Sequence, residues 1–198
     1  MKLYGFPLSG HSHRVRLFLS VLGLNFEEIT VNLAEGEHKG PEFLALNPFG
    51  QVPVLVDGDL VLADSTAILV YLAGKYAEPS WWPDDVVTRA EIQRWLSAAS
   101  GPIYSGPCAA RLVTLFKQDF DYDRAVATAH RFFAVLEAHL AGRNWLVGED
   151  RTIADIAGYS YIAHAPEGGV SLQDYPHIRG WLGRIERLPG FVAMQKAA

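Results

Sequence analysis

Only one cysteine, Cys108, occurs in the 198 residues, so no internal disulfide can form and no CxxC pair is present. That scarcity fits a reducing, cytoplasmic setting. Also lacking is any run of about 18 apolar residues, the length a membrane helix needs. The opening Met1-Lys2-Leu3-Tyr4-Gly5-Phe6-Pro7 has no long apolar stretch behind a basic head, so no secretory signal is expected. No segment is dominated by Lys and Arg, and the formal net charge is -5, which speaks against a nucleic-acid partner. HExxH, P-loop and GxGxxG motifs are missing, so a metal or nucleotide cofactor has no supporting motif. His130 and His139 stand nine residues apart, off the spacing that would put two ligands on one helix face.

What is present is ordinary for a soluble globular chain: 49% apolar and 20% charged residues. The length suits one large domain or two small ones.

Residues 2–6 read as a short buried strand, broken by Ser9-Gly10-His11-Ser12. Val15, Phe18, Leu19 and Leu22 then fall at helical spacing, and Gly23 ends the helix. Phe26 to Leu33 reads as a second strand, 34–41 as a loop, and Pro41 to Leu46 as a short helix. Val54-Leu55-Val56 and Leu60-Val61-Leu62 flank Asp57-Gly58-Asp59, a strong hairpin signal. Ile68, Leu69, Leu72 and Tyr76 mark a further helix, which gives the order βαβ-α-ββα and an α/β unit over residues 1–76.

Residues 77–86 read as a linker, because Pro79 and Pro83 preclude a continuous helix, while Trp81 and Trp82 suggest docking. Residues 87–198 read as all-helical. Val126, Ala129, Phe133, Leu136 and Leu140 define one helix, and Leu182, Ile185 and Leu188 another before Pro189. Thr152 to Asp155 has the form of a capping box.

Several residues of the first unit suit a small peptide with charged ends. Pro53 opens a strand, and a cis Val52-Pro53 bond would leave the Val52 N–H and C=O free to pair with an extended peptide; the simpler local reading is a proline that merely starts a strand. Asp64-Ser65 precedes a helix, where free N–H groups and the Ser65 hydroxyl suit a carboxylate and Asp64 suits an ammonium. An ordinary N-cap would use the same two residues. Glu37-His38-Lys39-Gly40 offers two donors for a second carboxylate, or simply a solvated loop. Ser9 and Ser12 lie before the first helix, where a hydroxyl can donate to a thiolate, and Ser12 suits the role of N-cap.

Leu3-Tyr4-Gly5 with Ser9 and Arg14, Glu37-His38-Lys39, Asn47 to Leu55, Asp57-Gly58-Asp59-Leu60 and Ser65-Thr66-Ala67-Ile68 together resemble the N-terminal domain of glutathione transferases, nearest to the serine-type phi and theta-like classes. The resemblance is close over residues 1–76; beyond that it rests on helix order and the capping box. It implies a thioredoxin-like domain with a mixed four-stranded sheet, followed by an all-α domain that contributes the electrophile pocket. By the same resemblance Ser9 activates the glutathione thiol, and His38 and Lys39 hold the glycine carboxylate. Gln51 and Val52 contact the peptide backbone beside a cis Pro53, and Asp64 and Ser65 hold the γ-glutamyl end. Glutathione is then a co-substrate rather than a cofactor, and the second substrate a small electrophile or a peroxide. A homodimer is implied, with an interface near Glu91, Arg94, Trp95, Tyr71 and Lys75.

Residues 9–16 also resemble the zeta-class segment, but His11 stands where that class has cysteine. Cis–trans isomerase chemistry and disulfide exchange are therefore disfavoured. Arg151 occupies the position before the cap, where an apolar staple residue is expected. Cys108 reads as buried and inert rather than pocket-lining, and Tyr104 as facing the electrophile pocket or as packing. The reading from another class is a non-catalytic glutathione-binding or protein-interaction module that keeps the fold without turnover.

Overall fold

The computed structural model describes residues 1–197. The α/β part runs β1 (Lys2–Gly5), α1 (Gly10–Val21), β2 (Glu27–Thr30), α2 (Pro41–Leu46), β3 (Val54–Asp57), β4 (Leu60–Ala63) and α3 (Ser65–Tyr76). Then follow α4 (Val86–Ser100), α5 (Ala109–Phe116), α6 (Tyr122–Leu140), α7 (Ile153–Ala163) and α8 (Pro176–Ile185), with no strand after β4 among the described residues.

The sheet is mixed and four-stranded, in the order β2-β1-β3-β4. β1 pairs parallel with β2 and antiparallel with β3, and β3 pairs antiparallel with β4. Side chains alternate across it: Leu3 and Leu55 enter the large core shared with the helices, while Tyr4 and Val54 face a smaller cluster with Val31 and Phe43 of α2. The hairpin closes between Asp57 and Leu60, with Gly58 at φ +60° as a tight turn of this kind requires.

Three expected elements differ in extent. β2 stops at Thr30, although the Val31 N–H still donates to Gly5 C=O at 2.8 Å. The loop before α2 contains a 3-10 turn, Glu37–Lys39. α8 ends at Ile185, and Leu188 lies in a turn in which its N–H donates to Ile185 C=O.

α7 is the central helix. Its sequence is apolar around the whole circumference, and residues Ile153 to Ile162 are buried against α1, α3, α4 and α8. The capping box is present: Thr152 caps the helix and Asp155 accepts from the Thr152 N–H at 2.9 Å. Arg151, the imperfect staple, lies with its guanidinium 5.1 Å from the Trp81 ring centroid, so a cation–π contact stands where an apolar pair was expected. Trp81 is itself buried, with its ring 5.1 Å from Phe18 across the junction.

Trp95 corrects the expected subunit interface. It is buried in the core between Phe132 and His139, because α4 turns this side of its surface onto α6. Arg94 and Glu91 pair with each other on the surface, and Tyr71 and Lys75 both donate to Asp57.

Candidate functional site

Ser9 is the N-cap of α1, at φ -84° and ψ 118°, and its Oγ accepts from the Ser12 N–H at 3.2 Å. The capping role assigned above to Ser12 therefore belongs to Ser9. The helix begins at Gly10, earlier than the apolar periodicity indicates, so Ser12 sits inside the first turn. There it is buried, and its Oγ accepts from the Phe6 N–H at 3.1 Å. Ser9 spends a lone pair on the cap and keeps its O–H proton for another acceptor. Gly10 lets this turn press on α7, since a Cβ there would fall 2.7 Å from the Tyr161 ring.

Asp64 caps α3 at a positive φ of 72°. One carboxylate oxygen accepts from the Thr66 and Ala67 N–H groups, both at 2.9 Å, and from the Thr66 hydroxyl at 2.6 Å. Burial opposes its ionisation, but these hydrogen bonds outweigh burial and hold its pKa below the ordinary carboxylate value. Ser65 follows as the first residue of α3 and is buried. Its N–H donates to no group among the described residues, which leaves a helix donor open to an anion.

Beneath Ser65 lies Arg14, fully buried, whose guanidinium donates to His11 Nδ1 at 2.8 Å and to Ser65 Oγ at 3.3 Å. His11 is held neutral, its pKa pulled down to about 3 by burial and then by Arg14. The first turns of α1 and α3 are thus joined through one buried cation.

The remaining predicted residues form a second group. Lys39 Nζ donates to Gly50 C=O at 3.0 Å, and Gly50 takes φ +59°, where a Cβ would fall 2.8 Å from His38 C=O. Burial and then Lys39 lower the His38 pKa, and its Nδ1 is buried without a partner among the described residues. The Gln51 side chain is exposed while its C=O accepts from Asn47 Nδ2 at 2.8 Å. The Val52-Pro53 bond is cis. Val52 lies outside the ladder, whose first paired residue on β3 is Val54.

Tyr104 sits in a wide π-type turn, Tyr104–Cys108, and is 39% exposed, which leaves a face open above the site. Its ring lies 6.0 Å from His11 and 6.4 Å from Phe120. Cys108 is buried and its thiol pushed up to about 11, chiefly by burial, so it is not a nucleophile at neutral pH.

Arg111 was missed from sequence. It is buried, and its guanidinium donates to Leu8 C=O at 2.8 Å and to Glu167 at 2.6 Å. The helical part thereby grips the loop that carries Ser9. A lone arginine in the apolar stretch Ala109–Phe116 was the sole signal. Among the described residues no group of three or more His, Cys, Asp or Glu is placed to hold a metal ion.

The comparisons with known proteins bear on both halves of the chain. Residues 1–74 match the family model for the glutathione S-transferase N-terminal domain, and residues 102–189 that for its C-terminal domain. Glutathione S-transferase 3 of Zea mays is 38% identical over 204 residues, covering 96% of this chain and 91% of the relative. A glutathione S-transferase structure from Pseudomonas fluorescens superposes with a TM-score of 0.90 at 32% identity, covering 98% of each chain. A glutathione transferase homologue from Drosophila mojavensis, solved with bound glutathione, has a TM-score of 0.84 at 31% identity over 95% of this chain and 88% of that one. With both halves matched in order and the maize relative aligned along nearly its whole length, the chain belongs to the glutathione S-transferase family.

Proposed function

We propose that this chain is a serine-type glutathione transferase that joins the glutathione sulfur to small electrophiles, with hydroperoxides as further oxidising substrates. The observation that carries this reading is Ser9: an N-cap hydroxyl whose lone pair is occupied by Ser12 N–H and whose proton is free. Residues 1–76 bind glutathione, 77–86 link, and 87–198 supply the electrophile side with Tyr104. The γ-glutamyl carboxylate takes the Ser65 N–H and hydroxyl at the α3 N-terminus, and Asp64 takes its ammonium. Val52 pairs with the peptide backbone, Gln51 flanks it, and His38 and Lys39 meet the glycine carboxylate. The thiol proton leaves to water, and proximity does the rest. A cytoplasmic detoxifying role fits the single cysteine, and no described helix is long and apolar enough to cross a membrane. The test is turnover by the purified protein of glutathione with a panel of conjugated carbonyls, aryl and alkyl halides and hydroperoxides. Glutathione binding without turnover of any of them would favour the non-catalytic module.

Ser65→Ala is expected to weaken glutathione binding about tenfold or more, since a hydrogen bond to a charged group contributes roughly 1.5–3 kcal/mol. Lys39→Ala should have a smaller effect that fades with added salt, because Lys39 is exposed. Titration calorimetry in which both variants bind like the parent would remove the carboxylate assignments.

We also propose a homodimer, supported by the family resemblance and by Phe49, which leaves 79% of its surface open at the tip of the loop before β3. Light scattering at micromolar concentration should give twice the chain mass and a lower mass for Phe49→Ser. A monomeric parent would refute it.

A further inference from the structure

His11 has one ring nitrogen committed and one open. Its Nδ1 lies 2.8 Å from the Arg14 guanidinium, which has donors and no acceptor, so Nδ1 must accept and the ring proton must sit on Nε2. Ser65 Oγ, 3.3 Å from the same Nδ1, accepts from Arg14 as well and does not change this assignment. Among the described residues Nε2 has no hydrogen-bond partner, and it is not among the buried polar atoms sealed from solvent. The ring stands against the helical part, 5.1 Å from Tyr161 and 6.0 Å from the half-open Tyr104. Arg14 is fully buried and cannot turn away, so it fixes the tautomer, while burial and then Arg14 oppose formation of imidazolium.

We propose that His11 Nε2–H is a hydrogen-bond donor to the second substrate, placed for electrophiles that gather negative charge on an oxygen. This rests on the transferase reading above. With a conjugated enone, the thiolate forms a carbon–sulfur bond at the β carbon, the π pair shifts, and the carbonyl oxygen becomes an enolate. His11 donates to that oxygen and keeps its proton. Water then protonates the α carbon, and the proton lost earlier by the thiol balances the addition. Displacement on an alkyl halide places no charge on oxygen, so the same donor has nothing to stabilise there. The side chain therefore sets specificity between two classes of electrophile.

The experiment compares benzylideneacetone with benzyl chloride at saturating glutathione. In His11→Ala the ratio of kcat/KM for the enone to that for the chloride is expected to fall at least about tenfold, short of the roughly 10²–10³ lost with a dedicated oxyanion-hole donor, because an enolate is also solvated by water. His11→Gln, whose amide can accept from Arg14 and donate beyond it, should recover part of that ratio. The ionisation of bound glutathione is followed in parallel by thiolate absorbance. Equal loss with both substrates would make His11 a packing residue and overturn the proposal. A thiolate titration displaced upward in His11→Ala would assign Nε2–H to sulfur and overturn it as well. A parent that turns over neither substrate fails the transferase reading itself.

Discussion

Ser9→Ala is expected to cut kcat by at least tenfold and to move the ionisation of bound glutathione to higher pH, while glutathione affinity changes little. A free thiol ionises near pH 8.5. Lowering that value by two units requires about 2.7 kcal/mol of preference for the thiolate. One hydroxyl hydrogen bond to an anion contributes roughly 1.5–3 kcal/mol. The α1 N-terminus adds about 0.3–1 kcal/mol. Ser9 can therefore supply half or more of the shift, and the Ser12 N–H donating to its Oγ polarises the O–H further. The variant also loses the α1 N-cap, at a typical cost of about 1 kcal/mol in stability. Ser9→Thr separates the two effects, because it keeps both cap and hydroxyl and should keep the low thiol pKa. Ser12→Ala should cost stability by stranding the Phe6 N–H, yet leave the thiol titration in place. An unmoved titration in Ser9→Ala would end the case for serine activation.

The largest loss of stability is expected from Asp155→Ala. This fully buried carboxylate accepts from the N–H groups of Leu146 at 3.0 Å and Thr152 at 2.9 Å, and from Trp181 Nε1 at 2.8 Å. It ties the start of α7 to the chain before it and to α8. Alanine would leave three buried donors without an acceptor, each costing about 1–3 kcal/mol. A net loss of roughly 3–5 kcal/mol is expected after local relaxation, against a total of about 5–15 kcal/mol for a typical protein. Urea unfolding should show it as a midpoint shift, and a shift worth under about 1 kcal/mol would refute the assignment.

The same residue carries a pH signature. Burial pushes its pKa up to about 6, outweighing the three N–H bonds. Between about pH 4 and 6 the folded state then binds more proton than the unfolded chain, so this group's contribution to stability falls as pH rises through that window. His11 and His13 act in the opposite sense. Burial lowers both, to about 3 and about 4, so their contribution is lost as pH falls below about 6.5. The Asp155 contribution is isolated by subtracting the pH profile of Asp155→Asn from that of the parent. A flat difference between pH 4 and 6 would show that Asp155 ionises normally.

Local patterns were legible without coordinates. The hairpin around Gly58, the capping box of Thr152 and Asp155 and the helix beginning at Pro41 each depend on residues within a few positions of one another, whose turn and cap chemistry is written in their order. The residues proposed to bind glutathione could be singled out for a related reason: most lie in short runs beside a helix start or strand start, where free backbone groups are guaranteed by chain geometry. The roles of Arg14, which the sequence offered only as part of a resemblance, and of Arg111 were not legible, because a buried arginine is recognised by its partners, and those come from distant segments: Ser65 and Ala99 for one, Leu8 and Glu167 for the other.

By itself the sequence determined the order of elements, the hairpin turn, the capping box of α7, and which short runs could meet a charged peptide, since those follow from backbone sterics and hydrophobic period. Tertiary structure alone decided that Ser9 rather than Ser12 caps α1, because helix register depends on how the Gly10 turn packs against Tyr161. It turned Trp95 inward, since the neighbours that bury one face of a long helix are set by the packing of the other helices. It also fixed the tautomer of His11, because a ring proton takes its place from the group opposite, and only folding brings the fully buried Arg14 to that nitrogen at 2.8 Å.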